Sequence, residues 1–360
     1  MSPCTDHSAA TRTLLDVGTI YIEHGVEAYP RGQEILRRWP DAEHIAVESH
    51  WRIPALRDAD PADWLRRKRD TIVLGIKRGL QCRPNGRSAD FIAPSSSNGC
   101  AMSCTYCYVA RRKGHSNPIT AFVNIADICS AIGRHAARRG PKPSPNQVDP
   151  RDWVYDLGEN SDLSVDALIS DNVRDLVALF QSLPHAKGSF ATKWVSPVLL
   201  TYDPRRRMRV RMSLMPASDA KVLDVRTSAV PDRVTFVNEL FAAGYEVHLN
   251  FSPVVVREGF EMEWDALFAQ VDSLLRPEVK AQLAAEVIML THNAALHEMN
   301  LGWHPRGEAM LWRPDLQEEK LSENGQVNLR YRARWKRVWL DRILARLAAR
   351  MPYCRVRYAF

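Results

Sequence analysis

Ser97-Asn98-Gly99-Cys100-Ala101-Met102-Ser103-Cys104-Thr105-Tyr106-Cys107-Tyr108 places three thiols at the spacing C-x3-C-x2-C within one short segment. Three thiolates are one ligand short of a closed site. Structural zinc takes four Cys or His ligands, usually in two pairs, and no second C-x2-C or H-x3-H pair occurs in the chain. A cubane [4Fe-4S] cluster is held by cysteine thiolates, and with three of them one iron stays open to a further ligand. Cysteines that merely pack as small hydrophobes, or pair in a disulfide, are the alternative. Three in eight residues beside a glycine turn make a poor core pattern.

At 360 residues the chain exceeds one ordinary domain and is within reach of a barrel with extensions. No apolar run approaches the roughly 20 residues needed to span a bilayer. Met1 to Ala10 has no apolar leader core, which predicts a cytoplasmic protein whose seven cysteines stay reduced. The net charge of +7 is clustered in Arg66 to Arg69, in Arg205, Arg206 and Arg207 with Arg209 and Arg211, and in Arg330 to Arg337. The last run interleaves cations with aromatics, which suits phosphates and exposed bases. Any single run also reads as a solvated helix or strand face.

Residues 1–88 read as an N-terminal extension. Leu14 to Ile20, Glu34 to Arg38 and Trp64 to Gly79 have mixed helical spacing there, and no catalytic motif stands out. From residue 89 short apolar segments alternate with helical ones. Asp90 to Pro94 is a strand leading into the cysteine loop; Asp152 to Leu157, Ala186 to Thr192, Arg209 to Met215, Tyr245 to Phe251 and Glu286 to Leu290 follow. Helices are predicted at Ala126 to Arg138, Asp166 to Ser182, Pro231 to Ala243 and Glu263 to Leu275, with Thr120 to Ile125 extended. Strands joined by crossover helices imply parallel pairing, here an α/β fold with a partial (β/α)6 TIM-like barrel over 89–304. Residues 305–360 form a basic C-terminal extension packing on it, with an amphipathic helix at Trp335 to Ala349 and a strand-like end, Tyr353 to Phe360, placed to close the open side. His292, His297 and His304 are spaced by five and seven, which puts no pair on one helical face and favours structural roles over metal binding.

Barrels of this kind carry reacting groups on loops at the C-terminal strand ends. The cysteine loop, Gly158 with Glu159, Lys193, Ser213 and Ser252 all fall there and would face one mouth. The cysteine spacing, with Tyr106 just before the last thiol, resembles the radical S-adenosylmethionine superfamily. In that superfamily the open iron takes the amino and carboxylate groups of S-adenosylmethionine, and one electron from the cluster releases a 5′-deoxyadenosyl radical. On this resemblance Gly158 lets backbone approach the cofactor, and Glu159 accepts its ammonium. Lys193 pairs with its carboxylate, and Ser161 and Ser213 bond ribose or carboxylate oxygens.

Asn98-Gly99-Cys100 through Tyr108, Ser161-Asp162, Thr192-Lys193-Trp194, Arg211-Met212-Ser213 and Ser252-Pro253 together resemble the spore photoproduct lyase family, over about Asp90 to Asn300. That family repairs an ultraviolet-induced thymine dimer in DNA by carbon-carbon bond scission. The resemblance implies that Cys100, Cys104 and Cys107 hold the cluster. It places Tyr106, Ser161, Lys193, Ser213 and Ser252 around S-adenosylmethionine, and makes Tyr108 a hydrogen-atom relay. It also implies a reducing electron donor and a DNA partner, for which Arg330, Arg332, Arg334, Arg205 and Arg207 are the candidate phosphate contacts. One position departs. The lyases carry a hydrogen-donating Cys two residues before the serine of the Ser-Asp turn, and this chain has Glu159 there. Glu323 to Tyr331 also aligns poorly with the family's lesion-contacting segment. Cys129 is a candidate replacement thiol, although its setting among Ile125, Ile128 and Ile132 reads as core. Three function classes stay open: a DNA-repair lyase or close relative, a radical enzyme acting on another nucleic acid, peptide or small molecule, and a non-enzymatic iron-sulfur nucleic-acid binder.

Overall fold

The computed structural model describes residues 14–57, 60–107, 109, 118–321, 325 and 327–360. Two parallel sheets lie side by side in sequence and share the cysteine loop. The first is built mainly from the N-terminal region. Thr19–Glu23 lies between Glu43–Val47 and Thr71–Gly75; Ile119–Phe122 follows, and Ser97–Asn98 is an antiparallel edge. The helical spacing expected over Trp64 to Gly79 resolves into a helix, Trp64–Asp70, and a strand, Thr71–Gly75, all five of whose residues are buried. A strand buried on both faces shows no alternation, so periodicity alone cannot tell it from a buried helical segment. Leu14 to Ile20 likewise runs into the strand Thr19–Glu23. Of the segment Thr120 to Ile125, expected to be extended, only the part up to Phe122 is strand, within Ile119–Phe122 and in this first sheet, and Ile125 already opens the following helix.

The second sheet is the curled half-barrel. Phe91–Ile92, Trp153–Asp156, Ala186–Thr192, Met208–Leu214, Glu246–Val254 and Ala284–Met289 pair in chain order, all parallel. These are the predicted strands, and they become the first to sixth barrel strands. Arg355–Ala359 adds a parallel seventh strand beside the sixth, and Arg83–Pro84 an antiparallel edge beside the first. The two edges meet through side chains. Ser88, in the turn before the first strand, places its hydroxyl 3.1 Å from both Glu286 Oε2 and Tyr358 Oη. The C-terminal strand therefore extends the sheet towards its open side, as its alternation suggested.

Period-two alternation explains the basic run before and within the fourth strand. Met208, Val210 and Met212 belong to the apolar core, whereas Arg209 and Arg211 are buried in ion pairs. Arg209 donates to Asp149 and Glu246, and Arg211 to Asp156. Arg357 on the seventh strand joins Glu286. Buried charges persist only when paired and hydrogen-bonded, and here the barrel interior away from the mouth is filled by such pairs. Helix Asp166 to Ser182 divides into Leu163–Asp166 and Asn172–Ser182. The others form close to prediction, at Ile125–Arg139, Val230–Ala242, Phe260–Leu274 and Ala333–Arg350. Among the described residues no helix is long and apolar enough to cross a membrane.

Candidate active site

The cysteine loop leaves the first barrel strand and is pinned on three sides. Gly99 has φ +87°, a left-handed conformation open to glycine, and its N–H donates to Asn160 O at 2.8 Å. Ser103 and Thr105 N–H groups donate to Val225 and Leu223 carbonyls, each at 3.0 Å, and Arg226 donates to Ala101 O at 2.9 Å. Asn300 donates to Thr105 O at 2.7 Å from the far side. The segment Leu223 to Arg226 follows the fourth strand, so the barrel itself sets the position of the thiols.

Cys100, Cys104 and Cys107 are half-buried and line one cavity of about 380 Å³. The same cavity is lined by Tyr106, Gly158, Glu159, Ser161, Asp162, Lys193, Ser213 and Ser252. The structure thus gathers every predicted site residue except Tyr108, which lies outside the described residues. Apolar Met102, Val109, Ile288, Met289 and Leu290 complete the wall. A larger groove of about 810 Å³, lined by Arg38, Trp39, Asp171 and Arg174, carries none of these groups.

Asp224, which sequence reasoning did not single out, and Asp162, quoted there only as part of the Ser161-Asp162 turn, organise the mouth. Asp224 is buried, receives Arg233 Nη1 at 2.9 Å and the Tyr106 hydroxyl, and lies 3.6 Å from Lys193 Nζ. Burial pushes its carboxyl up, but Lys193 and Arg233 hold it below the usual carboxylate range. Lys193 also donates to Ser252 O at 3.2 Å and sits 5.4 Å from the Tyr106 ring centroid. Tyr106 therefore lines the cavity with its ring while its hydroxyl is committed to Asp224. Asp162 caps the helix Leu163–Asp166 through Ser164 N–H and accepts from Thr192 Oγ1 at 2.8 Å and Lys193 N–H at 3.1 Å. Burial raises its carboxyl to about 6. Lys68 is 3 % exposed on helix Trp64–Asp70, and Cys100, Cys107 and Cys104 act on it electrostatically, although burial lowers its ammonium overall. It was read as part of a surface basic run.

Other predicted roles change. A Cβ on Gly158 would meet Leu163 Cδ1 at 3.1 Å and Phe190 Cβ at 3.5 Å, so the missing side chain also serves packing of the turn. Glu159 Oε2 accepts from Arg83 Nη2 at 2.7 Å and from Asn160 Nδ2 at 3.2 Å. At Ser252-Pro253 the fifth strand shifts register against the sixth; proline has no N–H for the ladder, and Ser252 is turned to the cavity. Arg205 and Arg207 do not reach the mouth. They precede the fourth strand, at the end opposite the cysteine loop, and Arg207 pairs with Asp152 at 3.3 Å. Arg330 pairs in register with Thr291, which lines the cavity, and Arg332 and Arg334 are exposed just beyond it. His292 and His297 meet on Glu308 Oε1 at 2.9 and 2.6 Å, and Glu308 Oε2 accepts from Asn300 at 2.7 Å. Both rings are thus committed to Glu308, which also holds Asn300, the residue that donates to Thr105 O. Cys129 packs against the core, where burial raises its thiol to about 12, and it does not line this cavity.

The donor set fits an iron-sulfur cluster. Burial pushes the thiols of Cys100 and Cys104 well above the ordinary range, a cost that bound iron removes because a coordinated thiol is deprotonated outright. Among the described residues no three His, Cys, Asp or Glu side chains converge as a single-ion site. The thiols instead surround shared space.

A family model described as spore photoproduct lyase matches residues 16–359. The spore photoproduct lyase of Clostridium acetobutylicum is 25% identical over 249 residues, covering 69% of this chain and 71% of its own. That of Bacillus subtilis is 23% identical, covering 75% and 77%. A solved spore photoproduct lyase complexed with dinucleoside spore photoproduct superposes with a TM-score of 0.86 at 19% identity, over 96% of this chain and 99% of that one. A variant of that enzyme with bound AdoMet and the same dinucleoside superposes equally well. The chain belongs to the spore photoproduct lyase family of radical S-adenosylmethionine enzymes.

Proposed function

We propose that this protein binds a [4Fe-4S] cluster and S-adenosylmethionine and opens a carbon-carbon bond of an ultraviolet-formed thymine dimer in DNA. The observation that carries the reading is the convergence of three thiols of one loop with Ser161, Lys193, Ser213 and Ser252 on a single cavity at the C-terminal strand ends. Cys100, Cys104 and Cys107 would hold the cluster. When bound, cluster and S-adenosylmethionine supply a radical able to take a hydrogen atom from a substrate carbon.

The chain's own residues orient and shield. Lys193, whose ammonium burial lowers while the Asp224 carboxylate at 3.6 Å supports it, offers a charge-assisted donor to a carboxylate. Ser213 and Ser252 offer short polar contacts on the same side. Met102, Val109, Ile288, Met289 and Leu290 exclude water from that space, which protects a reactive intermediate. Glu159 offers an acceptor, and a carboxylate cannot return a hydrogen atom to a carbon radical as a thiol can. Arg330, whose backbone pairs with cavity-lining Thr291, and the exposed Arg332 and Arg334 that follow it in the chain are the phosphate contacts of this reading.

The test is anaerobic reconstitution with iron and sulfide, chemical reduction, and product analysis with ultraviolet-irradiated DNA. Loss of lesion with recovery of thymine residues is the expected result. S-adenosylmethionine cleavage that leaves every thymine lesion intact would favour a radical enzyme with another substrate.

A further inference from the structure

A second cavity of about 290 Å³ adjoins the first, and Val109, Glu159 and Asn160 line both. Its remaining wall comes largely from outside the barrel mouth. Trp51, Lys77, Gln81 and Arg83 form one side, and Ser95, Asn98 and Gly99, which lead into the cysteine loop, form the other. Three features give this space a chemistry. Trp51 is 54% exposed, although a tryptophan ring is ordinarily well covered. Lys77 and Arg83 bring two cations against the single carboxylate of Glu159, which Arg83 already neutralises at 2.7 Å. Asn98 is only 6% exposed, yet its Oδ1 is buried without a hydrogen-bond partner among the described residues. A buried acceptor of this kind costs stability unless a donor arrives.

An aromatic face, a cation and an unfilled acceptor match the parts of one nucleotide. We infer that the second cavity is a subsite for the nucleotide next to the lesion on the same strand. Its base stacks on Trp51, a base N–H donates to Asn98 Oδ1, and its phosphate lies against Lys77. Stacking on an exposed aromatic with a cation on the backbone is how single strands are gripped without sequence preference. The shared wall sets the geometry: a lesion in the first cavity and its neighbour in the second would be separated by Val109, Glu159 and Asn160. The Lys77 ammonium lies over the Phe122 ring, 5.2 Å from its centroid, and the Lys77 backbone N–H donates to Asn124 Oδ1 at 2.8 Å, so the residue is held at both ends.

This inference rests on the DNA reading and is tested separately from it. Cofactor-loaded protein is titrated with a two-nucleotide thymine lesion, and with the same lesion extended by one nucleotide at the 5′ or the 3′ end. Extension at one of the two ends should tighten wild-type binding by about tenfold, the scale of one stacked base. Trp51→Ala and Lys77→Met should each abolish most of that gain. Both should leave affinity for the two-nucleotide lesion and background S-adenosylmethionine cleavage unchanged. Trp51 is at the surface, so its removal leaves the fold intact, and circular dichroism of both variants verifies this. A wild type that gains nothing from either extension, or variants that keep the full gain, would overturn the subsite while leaving the lesion reading standing. Failure of the wild type to bind any of the three probes would overturn both.

Discussion

Asp224→Asn removes one negative charge from beneath the mouth while keeping the shape of the side chain. In the wild type that carboxylate faces Arg233 at 2.9 Å, Lys193 at 3.6 Å and the Tyr106 hydroxyl, all in buried surroundings. Breaking a buried ion pair by removing one partner costs about 3–5 kcal/mol, because the other charge is left uncompensated. Arg233 keeps its bonds to Ser213 O at 3.0 Å and Ser228 O at 2.7 Å, and Lys193 keeps Ser252 O at 3.2 Å, which puts the loss at the lower end. For a chain of this size about 3 kcal/mol corresponds to a fall in Tm of roughly 4 °C. The sign with pH follows from the depressed carboxyl. Its stabilisation is present above the unfolded carboxylate value near 3.8 and is lost as pH falls through the lower folded value, so the difference between the two proteins should be full at pH 7 and shrink in acid. Thermal unfolding of metal-free protein at pH 7 and in acid measures it without interference from the cluster. A variant melting within about 1 °C of wild type at pH 7 would refute the argument that this carboxylate organises the site.

Four further outcomes are expected. Cys104→Ala should lower iron well below the roughly four atoms per chain of a reconstituted cubane, as read by iron and sulfide assay; an undiminished cubane would mean the wrong thiols. Gly188→Ala should cost about 1–3 kcal/mol by overpacking, because its Cβ would meet Met208 Sδ at 2.5 Å and Leu157 and Phe180 at 2.9 Å; denaturant unfolding decides. Asp166 is raised to about 7 by burial, against the hydrogen bonds of Ser97 and Ser161. Its contribution to stability is fully present below the unfolded value near 3.8 and is lost as pH rises through about 7, so Asp166→Asn should flatten the pH dependence of Tm across that window. Replacing Arg332 and Arg334 together with Ala should lower affinity for ultraviolet-irradiated DNA and reduce the slope of log affinity against log salt by about one to two, with iron content unchanged.

The cysteine spacing and the order of the barrel strands were legible in the sequence because both are local. Ligand spacing within eight residues needs no knowledge of neighbours, and crossover connections force parallel pairing. From these alone the mouth could be placed, with Lys193, Ser213 and Ser252 gathered at its rim. Tertiary structure decided what local pattern leaves degenerate. The strand Thr71–Gly75 is apolar on both faces and so carried no period. The run Arg205 to Arg211 looked like a patch for phosphates, but strand alternation turns Arg209 and Arg211 towards Asp149, Glu246 and Asp156, and only the partners, distant in sequence, reveal it. The placement of Asp224 beside Lys193, and the burial of Lys68 under the influence of the loop thiols, were hidden for the same reason. A charge in a helix or a turn is surface by default, and only the fold reveals where water is withdrawn from it and thiols or a lysine are brought alongside.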